Sequence, residues 1–191
     1  MWSWPFLGIR HGVRVIEMIK EIVVVTGPES CGKTTLARQL ADRWEAPLVN
    51  EVARDYLQNK DSYQESDLLK IAKLQNEMEQ KKTVLSAEKL VCDTDLLVIL
   101  IWSEFKYGSC DPWIRETLEN YFNKESLNRH YILCDPKIPW KKDRLRENPH
   151  NRDELFAVYL KKLKDYKLKH SVVSGTPKER LKQALDRFKC K

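Results

Sequence analysis

Residues 21–44, EIVVVTGPESCGKTTLARQLADRW, decide the fold. Ile22 to Val25 form a short continuous apolar run, the pattern of a parallel strand buried on both faces. Gly27 to Thr34 fit G-x-x-x-x-G-K-[ST], the phosphate-binding loop. Leu36, Leu40 and Trp44 then recur every four residues, so a helix follows. Strand before and helix after is the context the motif demands. Gly27 and Gly32 allow backbone shapes that a Cβ would penalise, so successive N–H groups curl around phosphate oxygens. The helix start near Lys33 adds the positive end of its dipole. Lys33 is placed to reach the β- and γ-phosphates, and the Thr34 hydroxyl to ligate Mg²⁺. The expected nucleotide contacts are Gly27, Glu29, Ser30, Cys31, Gly32, Lys33, Thr34 and Thr35, with ATP and Mg²⁺ as cofactors.

Composition bounds the rest. At 191 residues, one α/β domain is the expectation. Five scattered cysteines without a C-x-x-C pair argue for a reducing, cytoplasmic setting and against a zinc site. No apolar run approaches the ~18 residues of a membrane span. Net charge is +6, and residues 161–191 carry eleven Lys/Arg against three acids. This excess reads as a solvated helix surface beside an anion site rather than a nucleic-acid face. A homo-oligomer is compatible with this composition. Residues 1–17, aromatic but broken by Pro5, Gly8 and Gly12, read as a weakly ordered extension ahead of a domain over 18–191.

Along the chain, residues 46–50 read as a second strand that delivers Glu51 and Arg54 to the carboxyl edge of the sheet, where ligands bind. Residues 64–87 predict a long helix with an apolar stripe through Leu68, Ile71, Leu74, Met78 and Leu85. On it, Gln75 and Asn76 either face substrate or pack as buried polar groups. The strand beginning at Lys89 ends in Asp93 and Asp95. Asp93 suits the Mg²⁺ hydration shell, while Asp95 either caps the next helix or meets substrate hydroxyls. Residues 96–106 predict a core helix, Pro112 opens another, and 130–134 form a fourth strand. Residues 136–152 lack periodicity and carry six Lys/Arg, three prolines and Trp140. Their composition suits a lid bringing Arg144, Arg146 and Arg152 onto a transferring phosphoryl group. A helix over 153–166, a fifth strand over 170–174 and a last helix over 177–188 complete the chain. The acceptor-side candidates are Asn50, Glu51, Arg54, Asp95 and Trp140. Glu51 is the expected base, and Lys33, Asp93, Arg144 and Arg146 join it as catalytic groups.

GPESCGKTTLA (27–37), NEVARDYL (50–57), CDTDLL (92–97) and PWKKDRLREN (139–148) together resemble the ribosylnicotinamide kinase domain of the NadR family. The resemblance spans about residues 19–188 and implies a P-loop kinase with a five-stranded parallel sheet. It also implies transfer of the ATP γ-phosphate to the 5′-hydroxyl of nicotinamide riboside, a step in NAD biosynthesis. Two departures stand out. The chain lacks the H-x-G-H type motif of the family's adenylyltransferase domain, and Asn50 stands where members place an aromatic residue that stacks the nicotinamide ring. The alternatives are another nucleoside or nucleotide kinase, or a nucleotide-switched ATPase. A GTPase would need N-K-x-D after a later strand, whereas Asn59-Lys60-Asp61 precedes the Asp-Thr-Asp strand. An AAA-type switch wants Asp-Glu where this chain has Asp93-Thr94-Asp95.

Overall fold

The computed structural model describes residues 21–83, 88–123, 128–143 and 146–188. The expected extension, Leu85 and Arg144 lie outside these residues. The apolar run becomes β1 (Glu21–Thr26), every residue of which is buried. It sits at the centre of a five-stranded sheet of order β2-β3-β1-β4-β5. The flanking strands are β2 (Leu48–Val49), β3 (Lys89–Asp93), β4 (Asn128–Cys134) and β5 (His170–Val173), and every pairing is parallel. The sheet is therefore covered on both faces. Alternate β1 residues Val23 and Val25 pack with Leu36, Ala37 and Leu40 of α1 (Lys33–Trp44) and Ala184 of α7 (Pro177–Phe188). Ile22 and Val24 turn the other way. There they meet α2 (Val52–Leu57), α3 (Glu65–Thr83), α4 (Leu96–Tyr107), α5 (Pro112–Asn123) and α6 (Arg152–Asp165). Three layers result, as expected for this class.

Most elements fall within two residues of their expected bounds. β4 starts two residues earlier than expected, which brings Arg129 into the sheet. The larger difference is the face of α3. Leu74 and Met78 are each 40% exposed, whereas Leu68, Ile71, Gln75 and Glu79 are buried. The helix is turned so that two polar side chains find partners inside. Gln75 accepts from the Val52 N–H at 2.9 Å and donates to the Asn50 carbonyl at 3.3 Å, and Glu79 pairs with Arg129. For Gln75, buried packing is therefore the outcome.

Candidate active site

Parallel strands end together, so the residues after β1, β2 and β3 share one edge. A cavity of about 1030 Å³ opens there. The phosphate-binding loop forms its floor. Gly27 has φ +135°, and a Cβ there would stand 2.8 Å from the Cys134 carbonyl oxygen. Only glycine lets the loop lie that close to the end of β4. Gly32, at φ +85°, caps α1 in a left-handed conformation. Lys33 Nζ donates to the carbonyls of Gly27 at 2.9 Å and Pro28 at 2.7 Å, which arches its side chain over the loop. Burial opposes its charge, but Cys31, Glu51 and Asp93 nearby hold its pKa above the ordinary lysine value. The ammonium keeps its charge and has a third N–H for an anionic oxygen.

Asp93 ends β3 beside the loop. Its Oδ1 is buried without a hydrogen-bond partner, and the Thr34 hydroxyl lies against the same carboxylate. Burial and the nearby Glu51 raise its pKa, and the Thr34 hydroxyl, Lys33 and Arg38 offset this only in part. An orphaned oxygen beside a hydroxyl at the foot of this loop fits Mg²⁺, which takes one or two protein ligands and fills the rest with water and phosphate oxygens. Among the described residues no cluster of three or more His, Cys, Asp or Glu could hold a metal. Glu51 lines the cavity from the end of β2, and its carboxylate makes no capping bond to α2. The Gln75 amide grips the backbone on both sides of it, at Asn50 and Val52.

The basic segment after β4 lies across the loop. The N–H groups of Glu147 and Asn148 both donate to Glu29 Oε2 at 2.9 Å, and the Lys141 N–H donates to Ser30 Oγ at 3.0 Å. The side chains of Glu29 and Ser30 thus hold this segment, leaving their backbone to face a phosphate. Arg146 lines the cavity and donates to Ser30 Oγ at 3.3 Å. Arg152 donates to the carbonyls of Ser30 and Ile138 at 3.4 and 3.0 Å. At its outer rim the Glu147 carboxylate accepts from Tyr63 Oη at 2.8 Å and from Lys106 Nζ at 2.9 Å. Trp102 Nε1 donates to the same Tyr63 hydroxyl at 2.9 Å. Beyond Tyr63, the wall on the β3 side is Ala53, Leu57, Val98, Ile101, Trp102 and Phe105.

Several expected acceptor contacts stand elsewhere. Asp95 is fully buried, accepting from Leu97 N–H at 3.0 Å, Arg129 at 3.0 Å and the Tyr131 hydroxyl at 2.6 Å. It caps α4 from inside the protein and does not line the cavity. Arg54 lines the cavity but gives one nitrogen to Asp143 at 2.8 Å. Asn50 and Trp140 do not line the cavity, and Trp140 packs instead on the Arg152 guanidinium, 5.6 Å from its ring centroid. Cys31 is buried, with only its backbone available to a phosphate. Burial opposes ionisation of its thiol, but Cys134, Lys33 and Arg180 bring the pKa down to about 7.

Sequence reasoning passed over Arg180, Tyr63 and the Trp102–Phe105 wall, and left Gln75 between substrate contact and buried packing. Arg180 is 3% exposed, and its guanidinium donates to the carbonyls of Gly175 at 2.7 Å, Cys31 at 2.6 Å and Asp135 at 2.9 Å. It ties the phosphate loop to the ends of β4 and β5. A polar residue in phase with a buried helix stripe was the available signal, both for Arg180 with Ala184 and for Gln75 with Leu68 and Ile71.

Among solved structures the fold is shared with NadR in complex with NR, at 21% identity and a TM-score of 0.66 over 89% of this chain and 51% of that one. Thymidylate kinase from Ehrlichia chaffeensis matches at 14% identity and a TM-score of 0.62 over 88% of this chain and 98% of that one. Deoxyadenosine kinase from M. mycoides with products matches at 14% identity and 0.59 over 87% and 98%. The chain spans about half the length of the NadR chains it matches. No curated protein matches it. These likenesses establish the P-loop α/β fold. The description "AAA domain" fits residues 22–180 of the 191, and the chain belongs to that family.

Proposed function

We propose that this chain is an ATP-dependent phosphotransferase that moves the γ-phosphoryl group to the 5′-hydroxyl of a nucleoside-like acceptor, nicotinamide riboside, giving nicotinamide mononucleotide. The observation that carries the reading is convergence. Lys33, Thr34 and Glu51 line one cavity that Arg146 also lines, and Asp93, buried against the Thr34 hydroxyl, ends the strand between theirs. Phosphoryl transfer needs positioning and electrostatic stabilisation more than covalent chemistry. Lys33 and the loop N–H groups hold the phosphates, and Arg146 stands over them. Bound by Thr34 and Asp93, Mg²⁺ would neutralise charge on the β- and γ-oxygens. Glu51, held by Gln75, orients the acceptor hydroxyl and takes its proton as the new O–P bond forms and the bond to ADP breaks.

The nature of the acceptor rests on the wall of the cavity that Glu51 also lines. It is apolar and aromatic, and Trp102 is fixed by its bond to Tyr63. The Gln75 amide behind this wall is engaged by backbone, and the two lining amides, Gln39 and Asn148, belong to α1 and the basic segment rather than to the wall. A flat ring with few hydrogen-bonding groups suits this wall better than a purine or pyrimidine. Trp102 and Phe105 then supply the aromatic surface that Asn50 does not. The AAA domain match favours a second reading, a nucleotide-switched ATPase. Product chromatography across nicotinamide riboside, nucleosides and nucleoside monophosphates separates the two. Glu51→Gln should abolish transfer while nucleotide affinity stays within about threefold, and Lys33→Ala should lower turnover ~10³-fold. Normal transfer by Glu51→Gln would remove Glu51 as the base. No phosphorylated product from the unmodified chain would leave the switch.

A further inference from the structure

We infer that the buried Glu79–Arg129–Asp95 network is a positioning device for Asp93, acting through the backbone of Thr94. The inference rests on the reading of Asp93 as the metal-side carboxylate. Thr94 has φ +72°, in the left-handed region that a β-branched side chain strongly disfavours. It is buried, and its N–H donates to the Val25 carbonyl at 3.0 Å, one rung beyond the Val25–Asp93 pair. The ladder is thus kept to its last rung while the chain turns sharply away. Strain of this kind persists only where the surroundings over-determine it.

The surroundings do so from one side. On the residue after Thr94, the Asp95 carboxylate is held by Leu97 N–H, Arg129 and the Tyr131 hydroxyl. Arg129 is held in turn by Glu79 on α3 and lies over the Tyr121 ring, 4.8 Å from its centroid. These charges sit among Cys92, Leu96, Leu97 and Tyr131, all essentially without solvent contact. Desolvation offsets much of what a buried ion network gains, so stability gives a poor reason for its presence. Geometry gives a better one. Asp95 fixes the start of α4 and the far side of the Thr94 turn, while β1 fixes the near side. Between them the Asp93 carboxylate has one position, at the foot of the phosphate loop.

The test reads magnesium linkage in nucleotide binding, without any acceptor. Affinity for a non-hydrolysable ATP analogue is measured by calorimetry with Mg²⁺ and with chelator. Removing an outer partner of a metal ligand typically weakens the metal site 10- to 100-fold. Asp95→Asn is expected to shrink the Mg²⁺ enhancement by about tenfold, with metal-free affinity within threefold. Thr94→Gly adopts the turn without strain, so the Asp95→Asn/Thr94→Gly double variant should recover most of the enhancement. Glycine also relieves strain in the fold as a whole, so the control is metal-free affinity, which a general loss of stability would lower together with the Mg²⁺ enhancement. If Asp95→Asn does not fold, Glu79→Gln takes its place, with the same glycine rescue expected. Full Mg²⁺ enhancement in the folded variants, or no rescue by glycine, overturns the inference. Absence of any enhancement in the unmodified chain overturns the reading of Asp93 itself.

Discussion

Replacing Arg180 by Met keeps the long apolar stem and removes the guanidinium, so the change isolates three hydrogen bonds. They run to the carbonyls of Gly175, Cys31 and Asp135 at 2.6 to 2.9 Å. A hydrogen bond to a charged group contributes about 1.5–3 kcal/mol, so three at face value suggest about 5–9 kcal/mol. The three acceptors differ, however. Gly175 is exposed and Asp135 half-buried, so water takes over at both, while Cys31 is fully enclosed. The loss therefore concentrates on one orphaned carbonyl, and the expected destabilisation is about 3–5 kcal/mol. Domains carry about 5–15 kcal/mol in all, so the variant should still fold at 25 °C. For a chain of this size about 2–4 °C of Tm is lost per kcal/mol, which predicts a fall of roughly 6–20 °C by circular dichroism. Because the Cys31 carbonyl belongs to the phosphate loop, nucleotide affinity should also fall at least tenfold by calorimetry. Arg180→Lys should be intermediate, since a single ammonium cannot serve three separated carbonyls equally. If Arg180→Met stays within 1 kcal/mol of the parent and binds nucleotide as tightly, the residue is not the tie described here.

Gly27→Ala must push a methyl group against the Cys134 carbonyl at 2.8 Å, whereas Gly32→Ala meets nothing closer than 3.5 Å. Urea unfolding should show a loss of about 3 kcal/mol or more for the first and about 1–2 kcal/mol for the second; equal midpoints would contradict the packing. Glu29→Ala frees the N–H groups of Glu147 and Asn148. Trypsin should then cut at the exposed Lys141 and Lys142 about tenfold faster without a change in far-UV signal, and an unchanged cutting rate would mean the segment is held elsewhere. His130 is driven down to about pKa 4 by burial, helped by Arg187. Its neutral form is favoured in the fold, so the stability it contributes is complete above the unfolded pKa near 6.5 and is lost as pH falls towards 4. His130→Leu should flatten urea stability across that window, and an unaltered slope would assign the acid sensitivity to other groups.

What was legible in the sequence is what depends on neighbours in the chain. The phosphate loop is contiguous, so Lys33, Thr34 and the glycines could be placed from residues 27–34 alone. Asp93 was legible because a strand end has a fixed relation to that loop in a parallel sheet. Asp95 was not decidable locally. Helix capping and substrate contact both suit an acid after a strand, and the outcome turned on Arg129, 34 positions away. Arg180 reaches the Cys31 carbonyl across 149 positions, and its phase with Ala184 could mark it as buried but not name that partner. The face of α3 went astray for a related reason. Leu74 and Met78 are the better apolar choices one at a time, but burying Gln75 and Glu79 lets both satisfy partners on other elements. Two local preferences yielded to one tertiary arrangement.

Glu147 bonds through its backbone to the phosphate loop and through its carboxylate to Tyr63 and Lys106, beside the apolar wall. A residue shared in this way can couple the two halves of the cavity, and coupling between a nucleotide and a second ligand bound there would be reciprocal by thermodynamic necessity. The two halves of that link respond differently to the medium. The N–H bonds to Glu29 involve one charge and are short-ranged, while the Lys106–Glu147 and Arg54–Asp143 pairs are partly exposed and fade as ions screen them. Raising ionic strength should therefore erode the mutual reinforcement between ligands well before it erodes the grip of the phosphate loop on either one.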